Sequence, residues 1–588
     1  VHSMAKSTRS NLSILIVAIF FLVIIFRLFY LQIIKGEQYQ EISRNNFIRE
    51  AIIPSPRGLI LDRNGKQIAY SRPVVNLYIK NTDKLKLNEI KNNLSSYIKL
   101  EPSLKLKNEK TYSGIQRRLL KKDLSIDEIY LVEDLFKDVS NLELIVDYIR
   151  VYPYGEAASH ITGHLTSNDK KDFMYGNLFS NRKGANGLEK FFDKTLTGNV
   201  GSKYLYVDSR GREVIGQEIE NDEFKDIEKG NNIKTTIDIE LQKIIYDQFV
   251  TFNGAVIVSE LKSGEILALV SKPGFDPNLF SQPISSIEWN KLKADKSKPF
   301  LNRAFLVSSP PGSIIKIITA VAGLEEGVVS PSTEYYCPGY TKVGNRNFRC
   351  WLKGGHGMQD LKKALISSCD VYFYKVGLNL GIKKYSSWLK KFGIGDSDDY
   401  LPFKQKSGVV PDKKFIDKYL NGKFYSGDMV NVAIGQGYLT LNVVQANKII
   451  SIIANDGEFV PYKLFDSMNQ SKSKKLKIKP KNLSVIKDGL LGVVNDSNGT
   501  GFHAKDDLLL AGKTGTAQVI SKDSSNYGYG KYKNHGWFTA YYPFNAPRIA
   551  ITVFAEHGDS GGRAGGPIIK KIVSYYKENY GEKSDELR

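Results

Sequence analysis

A serine and a lysine stand three residues apart where an apolar helix is predicted to begin. The segment SSPPGSIIK runs from Ser308 to Lys316, and its two prolines and glycine interrupt the chain just before that helix. Ser313 and Lys316 then lie one turn apart on the same helix face. A desolvated lysine can lose its proton and act as a base for a serine hydroxyl, and a helix N-terminus stabilises developing negative charge. The pair is a candidate nucleophile and base, although a serine in this position is more commonly only a helix cap.

Two later segments carry the polar groups that such a serine needs. Ser368–Asp370 (SCD) opens a second helical run, fifty-five residues after Ser313. Lys513–Thr516 (KTGT) lies on a predicted strand, where the glycine allows a ligand's backbone to approach closely. The lysine ammonium and the two threonine hydroxyls of that segment can hold a carboxylate. S-x-x-K, S-x-D and K-T-G in this order and spacing are a strong signal for a serine acyl-transfer site.

The surrounding elements must bring these three segments together. GAVIVSELKSGEILALVSKPG, at 254–274, predicts a hairpin of two apolar strands around a K-S-G turn. TTIDIELQKIIYDQF, at 235–249, predicts a strand end that leads into a helix, and the Lys/Asn/Gly-rich segment DIEKGNN before it indicates a domain boundary near residue 230. A chain of 588 residues is too long for one core, so we expect two or three domains.

The chain resembles the penicillin-binding transpeptidases in these motifs. NRAFLVSSPPGSIIK, NVAIGQGYLTLNVVQ, the GTG at 499–501 and HGWFTAYYP are also similar to segments of that family. RGLILDRNG and GLEKFFDKTLTG resemble the pedestal of class B members. The aspartate at position 370 resembles the residue that elongation-type members have there. The resemblance implies an α+β fold with a single N-terminal transmembrane helix, an elongated pedestal domain, and a transpeptidase domain whose antiparallel sheet is flanked by helices.

The same resemblance implies a role for each motif residue. Ser313 would attack the penultimate D-alanine carbonyl of a peptidoglycan stem peptide, with Lys316 as base, Ser368 as proton relay and Lys513 tuning that network. An amine on a neighbouring stem peptide would then take the acyl group, and β-lactams would acylate the same serine. The backbone N–H groups of Ser313 and Thr516 would form the oxyanion hole. The expected substrate-binding residues are Asp370, Thr514, Gly515 and Thr516.

The chain's three cysteines are confined to one short stretch with a histidine. Cys337, Cys350, His356 and Cys369 are separated by 13, 6 and 13 residues. Three sulfurs and one imidazole can make a closed tetrahedral zinc site. Some elongation-type relatives carry zinc here on Asp, Asp, His and Cys ligands, so the resemblance implies a structural zinc and no cofactor for the chemistry. The alternative is a Cys337–Cys350 disulfide with Cys369 buried and inert, which an oxidising compartment favours.

An apolar run near the N-terminus predicts a membrane anchor. Asn11 to Ile34 is nearly free of charge, and as a helix it rises about 36 Å, enough to span a bilayer. Lys6 and Arg9 place the preceding tail in the cytoplasm, so the catalytic domain is expected in the periplasm, on the outer side of the inner membrane. No small-residue cleavage site follows. Arg27, late in the span, either reaches the outer interface or contacts a membrane partner.

These observations divide the chain into five predicted regions. They are a cytoplasmic tail (1–10), a transmembrane anchor (11–34), a non-catalytic pedestal (35–230), a transpeptidase domain (231–580) and a polar tail (581–588). The formal charge of +21 comes largely from lysine-rich runs, and without interleaved aromatic residues these do not indicate nucleic-acid binding. The expected partners are the membrane, stem peptides ending in D-Ala-D-Ala, β-lactams, and a SEDS-family glycosyltransferase with other elongation-complex membrane proteins.

Other functions share some of these motifs. A membrane-bound β-lactamase or penicillin sensor would carry the same three motifs, and a non-catalytic wall-synthesis scaffold would retain the pedestal. GDSGG at 558–562 is also the string around the nucleophile of chymotrypsin-like proteases, but no histidine lies in the context that those enzymes need. His160 and His164 have the helical spacing of a zinc pair without the glutamate of H-E-x-x-H.

Overall fold

The computed structural model describes most of the chain in segments. These are residues 2–39, 48–80, 84–100, 117–136, 139, 141–167, 182–206, 226–282, 284–396, 401–466, 468, 472–505, 509–520 and 524–581. The predicted polar tail at 581–588 lies almost entirely outside them.

Helices and strands are mixed throughout these segments, as an α+β fold requires. The strands are β1 Ile48–Ile53, β2 Ile60–Leu61, β3 Gln67–Lys80, β4 Arg117–Lys121, β5 Leu142–Val151, β6 Leu165–Ser167, β7 Arg182–Gly184, β8 Gly201–Tyr206, β9 Ile233–Lys234, β10 Asn253–Glu260, β11 Ile266–Lys272, β12 Tyr335–Cys337, β13 Tyr340–Val343, β14 Arg346–Arg349, β15 Gly357–Gln359, β16 Glu458–Phe459, β17 Lys474–Lys475, β18 Ala511–Ala517, β19 His535–Tyr542 and β20 Ile549–Glu556. The α-helices are α1 His2–Phe29, α2 Lys84–Ser95, α3 Ile126–Leu135, α4 Ser159–Thr162, α5 Gly187–Phe191, α6 Asp193–Leu196, α7 Ile239–Gln248, α8 Ser286–Ala294, α9 Arg303–Leu306, α10 Lys316–Glu325, α11 Leu361–Ile366, α12 Asp370–Lys391, α13 Lys413–Tyr419, α14 Ser426–Ala433, α15 Val443–Ala454, α16 Pro480–Asn495 and α17 Gly561–Tyr580.

The first helix contains the predicted anchor. α1 continues through a π-helical turn at Tyr30–Ile34, and 14–34 is the one described stretch that is long and apolar enough to cross a membrane. None of this stretch is buried against the rest of the chain. The Arg27 guanidinium lies 5.5 Å from the centroid of the Tyr30 ring, nearer the end of the helix.

The N-terminal region is built around the long strand β3. It pairs antiparallel with β2, β4 and β5, and β2 also pairs parallel with β9, next to the predicted domain boundary. The turn between β2 and β3 forms because Asp62 Oδ1 accepts hydrogen bonds from the backbone N–H groups of Asn64 and Lys66. These hydrogen bonds close the turn that joins β2 to β3.

A buried carboxylate ties three distant segments of this region together. Glu189, on α5, is fully buried and accepts hydrogen bonds from Arg57 Nε at 3.0 Å and from Arg150 Nε at 2.8 Å. Arg57 also contacts Asp193 at 2.8 Å. Because buried charges need partners, this cluster fixes the loop before β2, strand β5 and helix α5 relative to one another.

The C-terminal region is an antiparallel sheet between two layers of helices. Its strand order is β11-β10-β20-β19-β18, which places the KTG strand β18 at one edge. The inner strands β10 and β20 are buried along nearly their whole length, which explains their continuous apolar sequences. Side chains of α7 and α17 cover one face, and those of α10, α12 and α15 belong to the larger core on the other. The predicted hairpin at 254–274 is β10 and β11.

Candidate active site

The chain turns sharply at the candidate nucleophile. Gly312–Ile315 form one 3₁₀ turn, and α10 begins directly after it at Lys316. The prediction that the α-helix starts at Ser313 is therefore wrong by one turn, because Gly312 has a φ of 55° and the Trp537 indole donates a hydrogen bond to the Pro310 carbonyl. Ser313 is half-buried, and its N–H lies in a first turn, where N–H groups have no intrahelical partner.

Two glycines allow this turn to pack directly on the edge strand. A Cβ at Gly312 would lie 2.6 Å from the Thr516 carbonyl oxygen, and one at Gly515 would lie 2.7 Å from the Pro311 carbonyl oxygen. Either contact is too close for a side chain, so only glycine permits this approach. The sequence predicted that Gly515 would admit a ligand's backbone, whereas here the protein's own nucleophile turn occupies that space.

Lys316 is fully buried, and its amine donates to three oxygens of the SCD segment. Nζ lies 2.8 Å from the Ser368 carbonyl oxygen, 3.3 Å from Ser368 Oγ and 2.7 Å from Asp370 Oδ1. Ser368 has a φ of 54°, in the left-handed region, which costs a residue with a side chain about 1–3 kcal/mol. The contacts with Lys316 help to hold Ser368 in this conformation.

Lys513 brings a second buried amine to the site. It is fully buried on β18, and its Nζ donates to the Thr514 carbonyl at 3.2 Å. Burial, and then the charge of Lys316, hold the pKa of Lys513 well below its usual range. A lowered pKa makes the amine give up its proton more readily, which suits the tuning role predicted for it.

Edge strand β18 presents backbone groups to the same place. The Thr516 carbonyl accepts a hydrogen bond from Gln436 Nε2 at 3.1 Å, so this carbonyl points away from the neighbouring strand. The N–H and C=O of one strand residue point to the same side, so the Thr516 N–H also faces outward, beside the turn that holds Ser313. Thr514 Oγ1 contacts Thr500 Oγ1 at 2.6 Å, which brings the GTG segment to the site.

The predicted residues meet at a cavity of about 410 Å³. Six of them line it: Ser313, Ser368, Asp370, Thr514, Gly515 and Thr516. Further lining residues without a predicted role are Arg349, Trp351, Tyr374, Ile434, Gln436, Thr500, Gln518, Tyr527, Asn534, Ser560 and Arg563. Segments of several of them, around Gln436, Thr500 and Asn534, resemble the family, but no spacing rule in a single sequence singles out the side chains that reach the cavity.

The cysteine–histidine cluster forms beside this cavity. The ligand atoms of Cys337, Cys350, His356 and Cys369 all lie within 4.8 Å of one another. His356 Nδ1 is 3.7 Å from Cys337 Sγ and 3.5 Å from Cys350 Sγ. Tetrahedral zinc, with bonds of about 2.0 Å to nitrogen and about 2.3 Å to sulfur, separates such atoms by about 3.5 Å. The donor set therefore fits a zinc ion in type and in spacing.

The three cysteines of the cluster are buried and free in this structure, with no bond between Cys337 and Cys350. The hydrogen bond from the Cys369 thiol lowers the pKa of Cys350, and the same contact raises the pKa of Cys369. A sulfur with a lowered pKa is the form that binds a metal.

The other two candidate motifs have structural explanations. The ring of His164 packs against Phe275 and Phe280 at centroid distances of 5.3 and 4.3 Å, while His160 Nε2 contacts the Pro273 carbonyl. The described residues place no further metal ligand beside this pair. GDSGG follows strand β20: its first three residues form a loop, and α17 begins at Gly561.

Two protein-family models match the chain. The penicillin-binding protein transpeptidase domain matches residues 254–574, and the penicillin-binding protein dimerisation domain matches residues 52–235. The peptidoglycan D,D-transpeptidase MrdA of Haemophilus influenzae is 32% identical, over 93% of this chain and 88% of that protein.

Solved structures share the arrangement of both regions. The penicillin-binding protein PBP2 in a complex with MreC from Helicobacter pylori has a TM-score of 0.77 and 28% identity, covering 91% of this chain and 100% of that one. A chain from a peptidoglycan synthase complex that coordinates polymerization and crosslinking has a TM-score of 0.73 and 25% identity, covering 98% and 99%. The chain therefore belongs to the penicillin-binding protein transpeptidase family, among its class B, elongation-type members.

Proposed function

We propose that this peptidoglycan D,D-transpeptidase forms its acyl-enzyme on Ser313. The observation that carries the proposal is that segments 313–316, 368–370 and 513–516, far apart in sequence, all reach one cavity or the buried amines beneath it. The serine occupies a sharp turn, the Ser368 hydroxyl and the two threonines line the same cavity, and both lysines are buried beside it.

The proposed reaction has two acyl transfers. Ser313 Oγ bonds to the carbonyl carbon of the penultimate D-alanine, the C–N bond to the terminal D-alanine breaks, and the serine proton passes to the leaving amine. Lys316 accepts that proton, and Ser368 Oγ, 3.3 Å from Lys316 Nζ, relays it, while Lys513 tunes the network. An amine of a second stem peptide then attacks the acyl carbon, the bond from that carbon to Ser313 Oγ breaks, and the proton that the amine loses passes back to Ser313 Oγ.

The edge strand β18 provides most of the groups that we assign to substrate binding. We assign the terminal carboxylate to the hydroxyls of Thr514 and Thr516, with Gly515 between them and Asp370 also lining the cavity. The oxyanion is assigned to the N–H groups of Ser313 and Thr516. A preorganised donor of this kind contributes about 10²–10³-fold to the rate.

The competing functions have less support. A β-lactamase needs rapid deacylation, and the segment between Asp370 and Asp412 contains no glutamate to activate a water. A sensor needs a signalling domain, and neither matched family domain is one. A scaffold does not need a serine, two buried lysines and a strained Ser368 at one site.

Removing the hydroxyl tests the nucleophile directly. We expect Ser313→Ala to abolish covalent labelling by fluorescent penicillin while the protein keeps its melting temperature. Ser308→Ala is the matched control, because Ser308 lies in the same segment and donates to Thr440 Oγ1 outside the cavity. Undiminished labelling of a folded Ser313→Ala protein would overturn the assignment.

We also propose one structural zinc ion on Cys337, Cys350, His356 and Cys369. Four protein ligands leave no open position for water, so the ion would stabilise the fold and take no part in the chemistry. Protein purified without chelator should contain about one zinc per chain. A zinc-free protein in which mass spectrometry finds a Cys337–Cys350 disulfide would contradict this site.

The remaining assignments concern organisation and partners. We infer a cytoplasmic tail at 1–10, an inner-membrane anchor at 11–34, a pedestal at 35–230 and a transpeptidase domain at 231–580 in the periplasm, because Lys6 and Arg9 precede the anchor. A SEDS-family glycosyltransferase would supply the glycan strands, since neither matched domain is a polymerase. Full-length protein in detergent should co-purify with such a partner; no co-purification under conditions that preserve a known pair would contradict this.

A further inference from the structure

Asp370 contacts two separate parts of the protein with its two carboxylate oxygens. Oδ1 accepts a hydrogen bond from Lys316 Nζ at 2.7 Å, and Oδ2 accepts one from the Trp351 backbone N–H at 2.9 Å. Lys316 begins the helix after the nucleophile, whereas Trp351 directly follows Cys350 of the cysteine–histidine cluster. One buried side chain therefore joins the cluster to the catalytic lysine.

The segment around Trp351 is attached to the SCD segment by further contacts. The Trp351 indole donates to the Ser367 carbonyl at 3.0 Å, and its ring lies 5.3 Å from that of His356. Tyr374 Oη donates to the Arg349 carbonyl at 3.1 Å. The residues on both sides of Cys350 are thus held against those on both sides of Cys369, and a metal bound to both cysteines would fix the same arrangement.

We propose that Asp370 is a positioning residue that couples the cysteine–histidine cluster to Lys316. When the segment after Cys350 is ordered, the Trp351 N–H is held in place and orients the Asp370 carboxylate. The carboxylate in turn holds the Lys316 amine beside Ser368. The proposal rests on the zinc site proposed above. It goes beyond that site, because it names the route by which an ion with no substrate contact affects acylation.

Replacing Asp370 with asparagine should keep one of the two hydrogen bonds and remove the other. Both partners of Asp370 are donors, the Lys316 amine and the Trp351 N–H, and the asparagine side chain offers one acceptor oxygen and one NH₂ group. The charged Lys316 amine competes more strongly for the single oxygen, so Asp370→Asn should place its NH₂ group against the Trp351 N–H, donor against donor. Asp360→Asn is the matched control: it makes the same change of charge at the cap of α11, where asparagine caps equally well.

The decisive experiment measures the acylation rate at saturating fluorescent penicillin. It compares the full-length parent with the Asp370→Asn and Asp360→Asn variants, and each protein is measured once with zinc and once after chelation. Chelation should slow the parent and Asp360→Asn by roughly 10- to 100-fold, the effect of a small misplacement in an active site. Zinc-loaded Asp370→Asn should already be slow, and chelation should slow it by less than about threefold more, because coupled changes are not additive. An equal slowing of parent and Asp370→Asn by chelation would overturn the coupling.

Amide hydrogen exchange at Trp351 gives a second readout that does not depend on activity. The amide should be protected in the parent and in Asp360→Asn, and should exchange faster in Asp370→Asn, even when metal analysis finds both variants loaded. Unchanged exchange at Trp351 in Asp370→Asn would overturn the proposal. If the parent carries no zinc, the metal site is refuted by that result alone, and the hydrogen bond from Trp351 to Asp370 is still judged by exchange.

Discussion

Lys316 combines two properties that one substitution can separate. Its amine must lose a proton to act as a base, and its charge is paired with the nearly buried carboxylate of Asp370. Arginine retains the charge but keeps its proton at any working pH. We expect Lys316→Arg to slow acylation by about 10²–10⁴-fold, the contribution of a positioned base.

Lys316→Ala is the comparison for this prediction. It removes the base and also leaves Asp370 without its cation, so it should lower the melting temperature further than Lys316→Arg does. Acylation kinetics with fluorescent penicillin and thermal denaturation measure the two effects separately. Acylation by Lys316→Arg within about threefold of the parent rate would exclude Lys316 as the base.

The sequence predicts the site at the level of motifs but not of contacts. The S-x-x-K, S-x-D and K-T-G segments identify Ser313, Ser368 and Thr516 because their order and spacing are specific. The link from Asp370 to Trp351 depends on a backbone N–H, which every residue except proline possesses, so no residue type marks it. The left-handed conformation of Ser368 is equally invisible in sequence, because glycine or asparagine would be the usual signal for it.

Among the elements of the pedestal, the cluster at Glu189 is expected to contribute most to stability. Glu189→Gln leaves Arg57 and Arg150 buried with an incomplete partner, and losing one member of a buried ionic cluster costs about 3–5 kcal/mol. Glu240→Gln is the control, because its pair with Lys66 is exposed and worth less than about 1 kcal/mol. Denaturant unfolding should show a clear loss for the first variant only; equal losses would contradict the account.

Elements are predicted well where the pattern is local. Two apolar runs around the K-S-G turn give the β10–β11 hairpin, and the apolar run with Arg27 as its one charge gives the anchor helix. The order of strands in the central sheet is not local: β18 becomes the edge strand because β20 pairs with β10, about 290–300 residues away along the chain, and β19 lies between β20 and β18. Only this order exposes the Thr516 backbone to the nucleophile turn.

At the scale of the whole molecule, partly buried histidines, among them His160 and His164, make the fold sensitive to acid. Burial lowers the pKa of both His160 and His164 to about 4. Unfolded histidine titrates near 6.5, so the unfolded chain takes up protons between about pH 6.5 and 4 while the folded chain does not. Stability is therefore present above this window and falls as the pH decreases through it.

A neutral aromatic residue should weaken that dependence. His164→Phe keeps the packing against Phe275 and Phe280 and removes one titrating group. Melting temperatures measured from pH 7 to 4.5 should fall less steeply for this variant than for the parent, whereas His503→Phe, at an exposed position, should leave the slope unchanged. A slope for His164→Phe equal to that of the parent would contradict the assignment.

The central claim, acyl transfer through Ser313, can be measured in one experiment. The protein is incubated briefly with a donor stem peptide ending in D-Ala-D-Ala, digested, and analysed by mass spectrometry with and without an acceptor stem peptide that carries a free amine. The account predicts an acyl adduct, lacking the terminal D-alanine, on the peptide that contains Ser313, and its replacement by crosslinked product when the acceptor is added. An adduct on another residue, or release of only hydrolysed donor in the presence of acceptor, would contradict it.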